Sequence, residues 1–278
     1  MKMRKRKNLT IFMLALLCMM MMVPMTASAA KLKKINVNKY LKLGKNYTIL
    51  AYNPNNVWLK VRKKKSVKSS FYPSSVAVNY GGVFTVDRSK LKKGVKTAWI
   101  PVFVYNGRQR TTGYVQANQV KLSYVYNKKF SNNSVIHQAI KTGFRYLGTP
   151  FLMPGSSLSS GIDCAQFVCA IYRSAGKNLV SWAHTDNLQL VCREIFYQRS
   201  QRSLTKSQLN MLKPGDLLFY LKNDTSGPID HVGVYIGNGF MINSSGHYGM
   251  TYPNGGICIK RVQYGNRKIV RAMRINGF

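Results

Sequence analysis

Residues 159–169 read Ser159-Ser160-Gly161-Ile162-Asp163-Cys164-Ala165-Gln166-Phe167-Val168-Cys169, and this stretch decides the fold of the second half of the chain. Small residues lead to Asp163, and an apolar run at helical spacing follows it, so we predict a helix that begins at about Asp163 with Asp163 as its N-cap. Cys164 then lies in the first turn, where free backbone N–H groups and the helix dipole favour a thiolate. Taken alone, this residue is either an activated nucleophile or a small buried cysteine at a helix start.

A second polar pattern follows in residues 230–243. His231 opens an apolar, β-branched stretch, Gly237-Asn238-Gly239 is typical of a hairpin turn, and Asn243 lies on the predicted returning strand. Neighbours across a hairpin lie side by side, so Asn243 can orient the ring of His231. Together with Cys164 these residues form a Cys-His-Asn constellation, which is the pattern of nucleophilic catalysis by a thiol.

The region from about Ser134 to Phe278 resembles the NlpC-type cell-wall cysteine peptidases, which have a papain-like fold. The resemblance rests on five blocks that occur in the order and spacing of the family: Tyr146–Phe151, Gly161–Cys164, Thr185–Gln189, Leu212–Tyr220 and His231–Asn243. It implies that Cys164 is the nucleophile, that His231 is the base and that Asn243 orients the base.

The resemblance also implies substrate contacts, and the chain departs from the family at some of these positions. Asp163 matches an Asp that binds a substrate amine in some members, and His184 stands where an Arg is common. Phe151 occupies a position that often carries an aromatic hydroxyl, and Ala165 replaces the usual Ser. The orienting position is more often His than Asn. These departures bear on the substrate more than on the chemistry.

The N-terminus has the pattern of a secretory signal peptide. Five Lys and Arg in residues 2–7 precede an apolar run from Ile11 to Val23, and Ala27-Ser28-Ala29 supplies a small-residue cleavage site. The alternative is a membrane anchor, for which the apolar run is short. Cleavage after about Ala29 removes five cations and no acid, and so takes the net charge from +36 to +31. Export makes nucleic acid an improbable target for this charge and favours anionic wall polymers, or a purely solubilising role.

Residues 31–126 are predicted to be rich in β-strand, because β-forming segments at Tyr47–Tyr52, Val57–Val61, Ala98–Val104 and Thr112–Val115 alternate with turn residues. Their final segment, Gly113–Leu122, resembles the closing strands of bacterial SH3-like wall-binding domains. Two barrel halves or an unrelated β-sandwich are the alternatives. We therefore predict an α+β protein with a small SH3-like β-barrel at 31–126, a linker at 127–133 and a papain-like domain at 134–278. The latter opens with a helix that Ser134 caps.

These predictions describe a secreted, wall-associated, monomeric cysteine peptidase that cleaves peptidoglycan stem peptides. By resemblance the bond lies near the γ-D-glutamyl–diamino-acid linkage. The alternatives are a catalytically weak wall-binding protein and a related wall amidase or acyltransferase. We expect no cofactor and no metal, because the cysteines form no C-x-x-C motif. A Cys192–Cys258 disulfide remains open, since export permits one.

Overall fold

The computed structural model describes residues 32–55, 59–73, 81–106, 109–198, 203–221, 228–263 and 267–278. The predicted signal peptide at residues 1–29 lies outside these ranges, as does part of the predicted strand Val57–Val61. Contacts group Lys33–Phe278 into one compact unit. Within the described ranges, no helix combines the length and the apolar character that a membrane crossing needs.

The described residues form short helices and mostly antiparallel strands. The helices are α1 (Asn38–Leu41), α2 (Ser134–Arg145), α3 (Cys164–Arg173), α4 (Thr185–Leu190) and α5 (Lys206–Met211). The strands are β1 (Tyr47–Tyr52), β2 (Val83–Thr85), β3 (Trp99–Asn106), β4 (Gln109–Gln116), β5 (Lys121–Tyr126), β6 (Ser156–Ser157), β7 (Gly161–Ile162), β8 (Cys192–Tyr197), β9 (Leu217–Leu221), β10 (His231–Gly237), β11 (Phe240–Ser245), β12 (Gly256–Arg261) and β13 (Lys268–Ile275).

A six-stranded sheet in the order β12-β11-β10-β9-β13-β8 forms the centre of the second half of the chain. Helices α2 and α3 contact each other, and both contact β11. Strand β9 is buried on both faces, because Leu217 and Phe219 join the main core while Leu218 and Tyr220 join a second apolar cluster. This arrangement explains why β9 is a continuous apolar run, and it gives the α+β fold that the sequence predicts for this half.

The N-terminal segment forms two smaller antiparallel units. Strands β2-β1-β5 make a three-stranded sheet, and β3 pairs with β4 in a hairpin. The predicted strand Tyr47–Tyr52 is confirmed with the same bounds, and β3 and β4 contain the predicted strands Ala98–Val104 and Thr112–Val115 except for Ala98. Among the described residues of this segment, no closed barrel is seen. The β-rich character is thus confirmed, whereas the closed barrel is not found.

The N-terminal strands pack against the sheet of the second half. The buried Tyr252 hydroxyl accepts from Thr85 N at 2.6 Å and donates to Val83 O at 2.8 Å. Asn238 Nδ2, in the β10–β11 turn, donates to Tyr124 O at 2.8 Å. One cluster of buried apolar residues runs from Val37 to Ile275 through both halves of the chain. The two halves therefore share a core.

Two local expectations change in the structure. Asn133 caps α2, with its side chain accepting from Val135 N and Ile136 N, so the cap lies one residue before the predicted Ser134. Cys192 lies on the edge strand β8 and Cys258 on the opposite edge strand β12, about 24 Å away at the usual strand spacing. A disulfide between them is therefore excluded by the sheet, and both thiols are free.

Candidate active site

Cys164 is the first residue of α3. The Asp163 side chain caps the helix by accepting from Gln166 N at 2.9 Å, which confirms the predicted start of the helix. The Cys164 Sγ atom lies 4.0 Å from the carbonyl oxygen of Asp230, and the backbone N–H of Val232 also points at the thiol. The thiol thus contacts the main chain on both sides of His231.

The thiol of Cys164 is protonated at neutral pH. Burial raises the pKa of Cys164 to about 11, against the lowering effects of the Val232 and Ala165 N–H groups and of the Arg267 charge. The carboxylate of Asp163 raises it further. From the position of Cys164 at the helix start alone, the sequence predicts a lowered pKa for this thiol. That prediction is wrong for the resting site, because the cost of desolvating a thiolate exceeds the help of a few N–H groups.

His231 and Asn243 form a buried pair on the β10–β11 hairpin. His231 Nε2 lies 3.0 Å from Asn243 Oδ1, and both residues are almost completely buried. Gly233 makes this contact sterically feasible, because a Cβ atom there would lie 3.2 Å from Asn243 Cβ and 2.8 Å from Met241 Sδ. The structure therefore brings together the two residues that the sequence predicts as base and orienting residue.

The tautomer of His231 follows from the partners of Asn243. Asn243 Nδ2 donates to the carbonyl oxygen of Cys258 at 3.1 Å, which requires the amide oxygen to face His231. Nε2 must then carry the proton and donate it to Oδ1. In the neutral ring this leaves Nδ1 as the unprotonated, basic nitrogen.

His231 is neutral at physiological pH. Burial holds the pKa of His231 well below its ordinary value, and the positive charges of Arg267 and Lys260 lower it further. The hydrogen bond with Asn243 acts in the opposite direction. The resting site therefore contains a neutral thiol and a neutral imidazole.

Arg267 is a residue of the site that sequence reasoning missed. Its guanidinium forms an ion pair with Asp230, with Nη1 to Oδ1 at 2.8 Å and Nη2 to Oδ2 at 3.4 Å. Asp230 immediately precedes His231, and the Arg267 charge lowers the pKa values of both Cys164 and His231. A signal was available, since Asp230 is one of only seven acidic residues in a very basic chain.

The three predicted substrate contacts have different surroundings. His184 caps α4 and is exposed, and its charge lowers the pKa of the Asp163 carboxyl, so these two side chains are neighbours. Burial outweighs this effect and leaves the pKa of Asp163 raised. Phe151 is 9% exposed, and its backbone pairs with Met250 and Gly249. Its side chain therefore offers little surface to a ligand.

The other histidines lie outside the Cys-His-Asn group. His247, which follows β11, is exposed, and its N–H donates to Met250 Sδ. His137 is half-buried, and its Nδ1 accepts from Phe130 N at 3.2 Å. Among the described residues, no group of three or more His, Cys, Asp or Glu side chains is arranged to hold a metal ion.

A cysteine at a helix start beside a hydrogen-bonded His–Asn pair is the arrangement of papain-like cysteine hydrolases. Residues 148–265 match the family model of the NlpC/P60 family, which confirms the predicted resemblance for this region. All three residues of the candidate site lie within the matched stretch.

The names of two relatives specify peptidases that act on different bonds. The chain is 26% identical over 198 residues to a gamma-D-glutamyl-L-lysine dipeptidyl-peptidase of Bacillus subtilis, an alignment that covers 67% of this chain and 59% of the relative. It is 35% identical to the murein DD-endopeptidase MepH of Escherichia coli over 35% of this chain and 32% of that enzyme. The chain thus spans less than two thirds of either relative. A solved P60 domain from Mycobacterium avium subspecies paratuberculosis is 20% identical, with 55% of this chain and 100% of that one covered and a TM-score of 0.38.

Proposed function

We propose that the protein is an exported cysteine peptidase that hydrolyses peptidoglycan stem peptides. The observation that carries the proposal is the buried His231–Asn243 pair, on a strand whose start contacts the Cys164 thiol. The match to the NlpC/P60 family and the wall peptidases among the relatives support it.

The protonation states define the order of the chemical steps. His231 Nδ1 accepts the thiol proton as Cys164 Sγ attacks the peptide carbonyl carbon, since neither group is charged beforehand. The backbone N–H of Cys164 is the donor for the resulting oxyanion. The imidazolium then gives its proton to the leaving amine, which leaves a thioester. Water attacks the thioester with His231 as base, and releases a carboxylic acid and the free thiol.

We propose cleavage next to the γ-D-glutamyl residue of the stem. The name of the Bacillus subtilis relative supports this bond, while MepH is named for a different one. Asp163 would bind a free amine of the stem, with His184 beside it. Phe151 would contribute only the small part of its surface that is exposed.

We also propose that residues 31–126 hold the enzyme at the wall and belong with SH3-like wall-binding modules. The support is a β-rich segment of short antiparallel strands ahead of the NlpC/P60 domain, a net charge of +36 for the whole chain and the predicted signal peptide. The localisation that follows is secreted and associated with the cell wall, through anionic polymers.

Digestion of purified cell wall by the protein starting at residue 30 tests the activity. Mass assignment of the products identifies the bond from its new ends: a free γ-carboxyl on the glutamyl residue marks the γ-D-glutamyl linkage, and new ends at the cross-link with intact stems mark a DD-linkage. Cys164→Ala should reduce the rate to that of a blank, because it removes the nucleophile. Cys192→Ala is the matched control, since Cys192 is a free thiol far from the site. Full activity of Cys164→Ala would overturn the proposal.

A further inference from the structure

The N-terminal segment contains a cavity of about 190 Å³ that the proposed hydrolysis does not use. It is lined by Lys60, Arg62, Phe71, Trp99, Gln116 and Gln119. None of these residues lies in the stretch that matches the NlpC/P60 family. The lining combines two cations, two aromatic rings and two amides.

The two cations are held against one aromatic ring. The guanidinium of Arg62 lies 4.1 Å from the centroid of the Phe71 ring, and Lys60 Nζ lies 5.5 Å from the same centroid. Phe71 is 41% exposed, so part of this ring remains open to a ligand. Two positive charges beside a ring at one cavity wall form a local anion site.

Arg62 is positioned in advance of any binding event. Its backbone exchanges two hydrogen bonds with Tyr114, both at 2.8 Å, and it also forms a β-bridge with Phe71. Arg62 Nη1 donates to Ser69 O at 2.7 Å, which uses one of the five N–H donors of the guanidinium. The remaining donors can form the paired hydrogen bonds that suit phosphate and carboxylate oxygens.

Within the part of the chain that the structure describes, no carboxylate pairs with these cations. Of the acidic residues, Asp186, Glu194, Asp216 and Asp230 are engaged with His184, Arg271, Arg274 and Arg267 respectively. Asp87 accepts from Ser89 and Thr112, and Asp163 caps α3. Among the described residues, neither Lys60 nor Arg62 forms an ion pair with a carboxylate, so an external anion is the natural partner of both.

We propose that this cavity binds one oxyanion-bearing unit of a wall polymer, in which a phosphate or carboxylate meets Arg62 and Lys60. The hydroxyl or amide groups of the unit meet Gln116 and Gln119, and its apolar face lies on the exposed part of Phe71, beside the largely buried Trp99. The cavity is smaller than the range of about 300–1,000 Å³ typical of drug-sized ligand sites, and so suits a single unit. This inference rests on the wall attachment proposed above. It makes that attachment more specific, because it assigns it to one pocket rather than to the net positive charge alone.

Sedimentation of the protein with wall sacculi tests the site without requiring hydrolysis, so failure of the peptidase proposal is seen separately. Arg62→Gln should weaken binding about tenfold, which is the effect of losing paired hydrogen bonds to an anion. Lys64→Gln makes the same change in net charge in the same loop, outside the cavity, and should have little effect. Gln119→Ala, at an exposed position, is a second cavity variant that does not endanger the fold.

Chemical treatment of the sacculi identifies the source of the anion. If removal of phosphate polymers abolishes the difference between Arg62→Gln and Lys64→Gln, the ligand is a phosphate; if the difference persists, it is a carboxylate of the glycan or peptide. In an NMR titration, inorganic phosphate or acetate should shift the indole N–H signal of Trp99. The spectrum of Trp99→Phe assigns this signal. Equal binding by Arg62→Gln and Lys64→Gln, with melting temperatures unchanged, would overturn the site.

Discussion

Burial shifts the pKa values of Cys164 and His231 in opposite directions. Burial raises the pKa of the thiol to about 11 and lowers that of the imidazole, so neither group is charged in the resting site. In the proposed mechanism, a thiolate therefore forms only as the proton passes to His231 during attack. We propose that Asn243 keeps the ring in the tautomer that can accept this proton.

His231→Ala removes the proposed general base, and Asn243→Ala removes only the residue proposed to orient it. We expect the first to reduce the rate about 10²- to 10⁴-fold, the usual contribution of a positioned acid–base group, and the second to cost less. Single-turnover rates on a soluble stem peptide measure the order. The exposed His247 provides a matched control in His247→Ala. If His247→Ala were as damaging as His231→Ala, the base would be wrongly assigned.

Replacement of Arg267 changes both pKa values in one direction. The cation lowers the pKa of Cys164 and of His231, so Arg267→Met should raise both, while Arg267→Lys should keep the effect. The pKa of the thiol is measured from the pH dependence of Cys164 alkylation by iodoacetamide, followed by peptide mass. The pKa of the imidazole is measured from the NMR signals of the His231 ring. Arg271→Met removes a comparable ion pair with Glu194 and is the control. Unchanged midpoints in Arg267→Met would contradict this electrostatic role.

Two elements, the loop before α3 and the β10–β11 hairpin, must be held in register for the site to exist. Ser244, next to Asn243 on β11, donates its hydroxyl to Ile162 O at 2.6 Å, and Ile162 lies two residues before Cys164. This buried hydrogen bond links the strand of the orienting residue to the loop of the nucleophile.

Ser244→Ala should therefore reduce activity by misplacing Cys164 relative to His231. It removes the shorter of two hydrogen bonds to the buried Ile162 carbonyl oxygen, which keeps only Leu152 N at 3.5 Å, at a cost of about 0.5–1.5 kcal/mol of unfolding free energy. The hydrolysis rate and the denaturant midpoint are measured on the same variant. Measurement at excess substrate separates a lower kcat from weaker substrate binding. Ser245→Ala is the control, because Ser245 makes only a long 3.7 Å contact with Cys258 Sγ. Equal kcat in the two variants would show that the link does not position the site.

The features of these elements that the sequence predicted correctly depend on residues that are close together in the chain. The Asp163 cap depends on residues within three positions. The Asn238-Gly239 turn depends on two residues with positive φ, 52° and 77°, and is confirmed as a tight hairpin. The parts that were missed depend on distant contacts: Arg267 meets Asp230 across 37 residues, and the burial that raises the pKa of Cys164 comes from the assembled fold. No periodicity or capping rule reports such contacts.

The whole molecule joins a basic β-rich half to the half with the candidate site. Tyr252 lies in the second half and has no sequence feature that marks it, yet its hydroxyl bonds both Val83 and Thr85 in the first. The two halves share one core, and Phe130 of the expected linker 127–133 is buried and stacks on Phe144 at 5.2 Å. Wall attachment and cleavage would therefore occur at a fixed separation.

Salt provides the last prediction, because it separates attachment from chemistry. If the net charge holds the protein at the wall, binding must weaken as the Debye length falls from about 10 Å at 0.1 M to about 3 Å at 1 M salt. Hydrolysis of a small soluble stem peptide should respond much less, since the Cys164 thiol and the His231 imidazole are both uncharged in the resting site. The protein starting at residue 30 is sedimented with sacculi across this range, with and without their phosphate polymers, and peptide hydrolysis is followed in parallel. Binding that changes with neither salt nor polymer removal would contradict an electrostatic attachment, and equal losses of binding and hydrolysis would place the salt effect on the fold itself.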